Sequence, residues 1–174
     1  MLVIITEKPN AMEKIAESLG KARKVRGGNF YWYELNRNNQ KILVTCAVGH
    51  LFVLDAVKGG GWKYPVFDVQ WIPVHTKKGH EFSKKYFDTL SQAVKKGDEF
   101  IVATDFDTEG EVIGYNVLKF LAGRSDAKRM KFYSMTKDEL VESFENASPT
   151  ISINQVESGL TRHYLDFFWG INLT

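Results

Sequence analysis

The chain has 174 residues, enough for one domain, or slightly more, with a substantial core. With 44% hydrophobic residues, 25% charged residues and a net charge of +2, it reads as an ordinary globular protein whose total charge selects no class of partner. The single cysteine, Cys46, excludes a disulfide framework and a cysteine metal site within one chain. No apolar run is long enough to span a membrane and no signal peptide precedes the first strand, so a cytoplasmic protein is expected.

Leu2 to Thr6 reads as a strand that ends at Glu7-Lys8-Pro9. Pro9 suits a helix start, Ile15, Ala16 and Leu19 make an apolar stripe, and Gly20 closes it. Lys21, Arg23, Lys24 and Arg26 form a basic run, as do Lys77, Lys78, Lys84 and Lys85; both read as solvated surface that permits a phosphate partner. Phe30–Leu35 and Ile42–Val48 read as strands joined by the polar turn Asn36–Gln40, with Cys46 as a small buried hydrophobe. After the Gly49-His50 turn comes a short apolar segment, Leu51–Val57. An irregular stretch marked by Gly59-Gly60-Gly61, Pro65 and Pro73 then runs to about Gly79. Helical spacing returns from Glu81 to Lys96 and stops at Gly97.

Phe100–Ala103 reads as a buried strand running directly into Asp105, Asp107, Glu109 and Glu111. A helix follows, with Val112, Ile113, Val117, Leu118 and Leu121 on one face and Gly123 at its end. Further on, Met130–Tyr133 reads as a short strand and Thr136 to Glu139 as a capping box. A last helix is expected from about Asn154 to Trp169. Strands alternating with helices predict an α/β fold: a mainly parallel sheet flanked by helices, with an added antiparallel hairpin. In such folds functional groups gather beyond the carboxyl ends of the strands, where Glu7-Lys8 and the acidic cluster both lie.

Like charges this close repel unless a cation or proton intervenes, and hard divalent cations prefer oxygen ligands. A helix amino end also favours negative charge, which alone would account for Glu109 and Glu111. An EF-hand is excluded: Asn116 stands where the bidentate glutamate would fall, and the segment is entered from a strand. His75, His80 and His163 show no convincing metal spacing, and His50 suits a phosphate contact or a backbone bond equally. The aromatic groups Tyr31-Trp32-Tyr33 and Phe167-Phe168-Trp169 read as core rather than stacking platforms.

A strand ending in Glu7 followed by a later strand ending in Asp105-x-Asp107-x-Glu109 resembles a Toprim (Rossmann-like) domain, the metal-binding module of type IA topoisomerases, primases and some nucleases. Ile4 to Pro9, Val44 to Leu51, Ala103 to Glu111 and Gly159 to Thr174 are similar to segments of the type IA topoisomerases. Thr108 is in the manner of the archaeal and reverse gyrase branch. The resemblance divides the chain into a Toprim domain over 1–150 and the start of a following domain over 151–174. It implies Mg2+ held by Asp105, Asp107 and Glu109, catalysis by Glu7 and Lys8, and DNA-contacting or supporting roles for His50, Glu111 and Arg162. Arg162 reads equally as an i,i+4 partner of Asp166. The implied partners are a single-stranded segment of negatively supercoiled DNA and the remaining domains of a longer enzyme. None of the seven tyrosines lies in a nucleophile motif, so the chain is expected to be an amino-terminal piece that cuts no strand alone. A Toprim nuclease or primase, and a non-catalytic Mg2+-dependent nucleic-acid-binding module, are the alternatives.

Overall fold

The computed structural model describes residues 1–57 and 64–173. Its main sheet has six strands in the order β2-β3-β4-β1-β7-β8. They are β1 (Leu2–Thr6), β2 (Arg23–Gly27), β3 (Phe30–Arg37), β4 (Gln40–Cys46), β7 (Glu99–Ala103) and β8 (Lys128–Arg129). β4, β1, β7 and β8 run parallel, while β2, β3 and β4 form an antiparallel meander on one side. A separate antiparallel pair joins β5 (Phe52–Ala56) to β6 (Val69–Pro73). The helices are α1 (Pro9–Leu19), α2 (Lys84–Val94), α3 (Thr108–Val117), α4 (Lys137–Glu145) and α5 (Ile153–Asn172).

Side chains alternate across a strand, so each central strand feeds two cores. Val3, Ile5, Leu43, Phe100 and Val102 pack with Leu90, Ile113, Val117 and Val156 of α2, α3 and α5. Leu2, Ile4, Ile42, Val44, Ile101 and Ala103 pack with Met12, Ile15 and Leu19 of α1 and Leu140 of α4. Burial on both faces is why these strands read as unbroken apolar runs. The expected α/β class, with its parallel sheet and antiparallel hairpin, is the observed one. Among the described residues no helix is long and apolar enough to cross a membrane.

Several local expectations are corrected. The basic run at Lys21–Arg26 faces solvent as expected, but it does so from an edge strand, β2, in which Val25 packs inward. Part of the stretch expected to be irregular forms β6, and Gly59-Gly60-Gly61 lies outside the described residues. The strand expected at Met130–Tyr133 is shifted back to Lys128–Arg129, because Met130 only donates one hydrogen bond to Val102 before the chain leaves the sheet. The capping box is replaced by another closure. Thr136 caps α4 without a side-chain bond, and the Glu139 carboxylate accepts from the Tyr133 and Ser134 amides instead. The segment from Glu81 opens with a 3-10 turn, Glu81–Ser83, before α2 begins.

Two glycines let α3 pack closely. A Cβ on Gly114 would stand 2.4 Å from Val102 Cγ1 of β7, and one on Gly159 of α5 would stand 2.4 Å from Val112 Cγ2 of α3. Gly159→Ala therefore separates α3 from α5 and is expected to lower stability by about 1–3 kcal/mol in urea unfolding, as overpacking does.

Candidate metal and phosphate crevice

β1, β4 and β7 lie side by side in register, with Thr6 paired to both Cys46 and Ala103. All three strands therefore end at one level, and the residues after them share one crevice. The buried threonines Thr6 and Thr104 fasten these ends, with hydroxyls donating to the Thr45 carbonyl at 3.0 Å and the Gly110 carbonyl at 2.7 Å. Cys46 adds a further tie: its thiol lies 3.1 Å from the Glu7 carbonyl, which accepts, and burial pushes its pKa up to about 12. The turn after β4 is strained, since Val48 has φ of 56° and Gly49 of 83°; a β-branched residue rarely adopts positive φ. That turn delivers His50.

Glu7 and Lys8 leave β1 and meet Asp105 leaving β7. The Lys8 ammonium lies 2.5 Å from Asp105 Oδ2 and 3.8 Å from Glu7 Oε1. Burial, and then the neighbouring Asp105, raise the Glu7 pKa above the ordinary glutamate value; Lys8 opposes and Asp107 adds to the rise. Asp105 in turn raises the Lys8 pKa. Asp107 is the N-cap of α3, its Oδ1 accepting from the Gly110 amide at 2.7 Å, an arrangement that satisfies one of the helix's unpaired donors. Gly110 is required there: a Cβ would lie 2.1 Å from the Asp105 carbonyl oxygen.

Glu109 turns to different partners. Its Oε2 lies 3.1 Å from His50 Nε2 and 2.9 Å from His163 Nε2, and its Oε1 lies 4.0 Å from Arg162 Nη1. Arg162 is also 3.7 Å from Asp166, one turn on. Burial, and the neighbouring His163, lower the His50 pKa. His163, passed over for want of metal spacing, thus joins the cluster from α5, 54 residues beyond Glu109.

Glu111 stands apart from the crevice. It is fully buried and accepts from Arg129 Nε at 2.7 Å, a guanidinium that is equally inaccessible. Arg129 also donates to the carbonyls of Thr104 and Asp105, both at 2.9 Å, of Met130 at 2.6 Å and of Val102 at 3.3 Å. Glu111 therefore meets no solvent-borne ligand and acts on the crevice by fixing the end of β7. Sequence reasoning missed Arg129, which sits in the polar-looking string Asp126-Ala127-Lys128-Arg129. A lone buried arginine in such a string has no signature.

The donor set suits a hard dication. Asp105 and Asp107 stand close enough to Glu7 to add to the rise in its pKa that burial begins, against the opposing ammonium of Lys8. A divalent ion relieves that repulsion.

A Rossmann-like sheet whose strand ends gather carboxylates defines the class of this α/β domain. Residues 2–135 match the Toprim domain family. DNA topoisomerase 1 of Methanocaldococcus jannaschii is 47% identical over 173 residues, covering 99% of this chain and 23% of that protein. DNA topoisomerase 1 of Pyrococcus horikoshii is 45% identical over 179 residues, covering 100% and 26%. Reverse gyrase of Pyrococcus furiosus is 26% identical over 203 residues, covering 99% and 16%. The full-length topoisomerase I from Thermotoga maritima superposes with a TM-score of 0.56 at 24% identity, over 94% of this chain and 24% of that one, a likeness of fold. The chain belongs to the Toprim domain family. It spans about a quarter of the length of the topoisomerases it matches.

Two outcomes follow for the crevice. Arg129→Leu strands the Glu111 charge in the core and should lower stability by about 3–5 kcal/mol, whereas the double variant Arg129→Leu with Glu111→Leu should recover part of that loss in urea unfolding. In metal-free solution, the Glu7 carboxyl should titrate above the ordinary 4.5 when followed by carbon-detected NMR. Asp105→Asn removes a neighbouring negative charge and should move that midpoint part of the way down; an unmoved midpoint contradicts the contribution assigned to Asp105 and leaves burial alone.

Proposed function

We propose that this chain is the Mg2+-binding part of a type IA enzyme that relaxes negatively supercoiled DNA by cleaving one strand, passing the other and rejoining the break. The observation that carries this reading is the meeting of Glu7, Lys8 and Asp105 at adjoining strand ends, with the Lys8 ammonium 2.5 Å from Asp105. Asp105 and Asp107, with Glu109, are the residues that would hold Mg2+. The bound ion supplies charge neutralisation for the DNA phosphate it orients. The residues of the chain do the rest. Glu7, with its raised pKa, holds a proton for the departing 3′-oxygen and takes it back on religation. The ammonium of Lys8, on a side chain 56% exposed, offers a point charge to the scissile phosphate. His50 and Arg162 border the crevice through Glu109 and suit contacts with flanking phosphates.

The attacking tyrosine, which would form the 5′-phosphotyrosyl link, is proposed to come from another domain of the longer enzyme, so the 174 residues alone would leave DNA intact. Residues 151–174 are proposed to lead into that following part. The partners are thus a single-stranded segment of DNA and the remaining domains, and the compartment is the cytoplasm.

In the full-length enzyme, Asp105→Asn combined with Asp107→Asn should abolish Mg2+-dependent relaxation of supercoiled plasmid. Undiminished relaxation would sink the metal assignment. Glu7→Gln should retain Mg2+ binding by calorimetry while slowing cleavage and religation by about 100-fold or more, the share expected of a general acid.

A further inference from the structure

We infer that His50, Glu109 and His163 form a second metal site, one for a borderline transition dication such as Zn2+ or Co2+ rather than for Mg2+. This goes beyond the topoisomerase reading and does not depend on it. One ligand atom from each residue lies within 4.8 Å of the others. The two imidazoles present the same nitrogen, Nε2, to the same oxygen, Glu109 Oε2, at 3.1 and 2.9 Å. Tetrahedral ligands about 2.0–2.1 Å from a zinc ion stand about 3.3 Å apart, so the two carboxylate–imidazole separations need only small adjustments, and the two imidazole nitrogens, within 4.8 Å of each other, would settle to the same spacing around the ion.

The three ligands come from three segments, and each is held by structure outside the cluster. His50 follows the positive-φ turn Val48-Gly49. Glu109 sits in the first turn of α3, which Asp107 caps. His163 lies one turn beyond Gly159, where α5 rests on Thr108 and Val112 of α3. The His163 ring is walled by Trp71, with ring centres 5.6 Å apart, and by His50 at 5.1 Å. Trp71 is itself anchored by donating to the Tyr164 hydroxyl at 3.3 Å. Each ligand side chain keeps between 29% and 39% of its surface open, leaving room for an ion with a further exchangeable ligand. Arg162 approaches only the other Glu109 oxygen, at 4.0 Å.

Chemistry separates this set from its neighbour. Two imidazole nitrogens and one carboxylate oxygen suit Zn2+ and Co2+, whereas the all-oxygen pair Asp105 and Asp107 suits Mg2+. Because Glu109 belongs to both groups, an ion held by the histidines withdraws that carboxylate from the magnesium position.

The test is a Co2+ titration of the 174-residue chain, followed by visible absorption, with Zn2+ as competitor. The site predicts one Co2+ with tetrahedral d–d bands that equimolar Zn2+ displaces, whereas Mg2+ at the same concentration does not and acts only in large excess, through the shared Glu109. His163→Gln and His50→Gln should each weaken binding about tenfold or more. Asp105→Asn with Asp107→Asn should leave the spectrum unchanged while removing Mg2+ binding. Far-UV circular dichroism identifies any variant that is unfolded, and the wild-type thermal midpoint should rise on adding Zn2+, independently of any variant. The inference is overturned if wild-type chain gives no Co2+ bands, which leaves the histidines as hydrogen-bond donors to Glu109 only. It is overturned equally if folded histidine variants keep full affinity, or if the bands vanish with the aspartate pair.

Discussion

The site depends on one buried ion pair. The Arg129 guanidinium has no solvent contact, and a buried cation is tolerated only when both its charge and its N–H groups are matched. Glu111 matches the charge, the carbonyls of Val102, Thr104 and Met130 accept from Nη1, and that of Asp105 accepts from Nη2. This arrangement ties β7, β8 and the first turn of α3 together at a point where the backbone leaves the sheet and its own ladder can no longer hold it. With its carbonyl bound inward by Arg129, Asp105 presents its carboxylate to Lys8 on the other strand end. The crevice is shaped from beneath by a group that never enters it.

The same interaction explains how four carboxylates coexist in seven residues. Each has a different compensating partner: Asp105 an ammonium, Asp107 the amide at a helix amino end, Glu109 two imidazoles, and Glu111 a guanidinium. Alternation along the strand-to-helix turn aims successive acids in different directions, so repulsion that looks prohibitive on paper is divided among separate environments. Asp105 and Asp107 remain close enough to Glu7 to add to the rise that burial produces in its pKa.

Much of this was legible because it follows from local rules. Apolar runs doubly buried by helices announce parallel strands, and strand ends in such folds converge, so the meeting of Glu7-Lys8 with Asp105 could be expected from sequence. Illegible features were those decided by tertiary partners. β2 alternates too weakly, because an edge strand buries little, and β6 is masked by the prolines around it. Arg129 looks like any surface arginine until the sheet closes over it. His163 shows no spacing to a partner because its partners are set by how α5 lies on α3, which Gly159 decides. A distance of 54 residues carries no periodic signal.

α5 shows how such a partner can lie outside the span that defines the family. The Toprim match ends at residue 135, yet Leu140 of α4 and Ile151 and Val156 before and within α5 complete the two cores. Burial then fades along one helix. Val156 and Gly159 are enclosed, His163 is half-open at the crevice, and Leu165, Trp169 and Leu173 are exposed, with Trp169 at 71%. Apolar residues spaced four apart on an exposed face are uncommon on a helix that packs only against its own domain. The first half of α5 is explained by α3. The second half packs on one side only, where Phe168 meets Phe67 at 5.8 Å between ring centres and the Asn172 side chain bonds the Val66 backbone in both directions, so the face carrying Leu165 and Trp169 stays open on the same helix that positions His163 and Arg162.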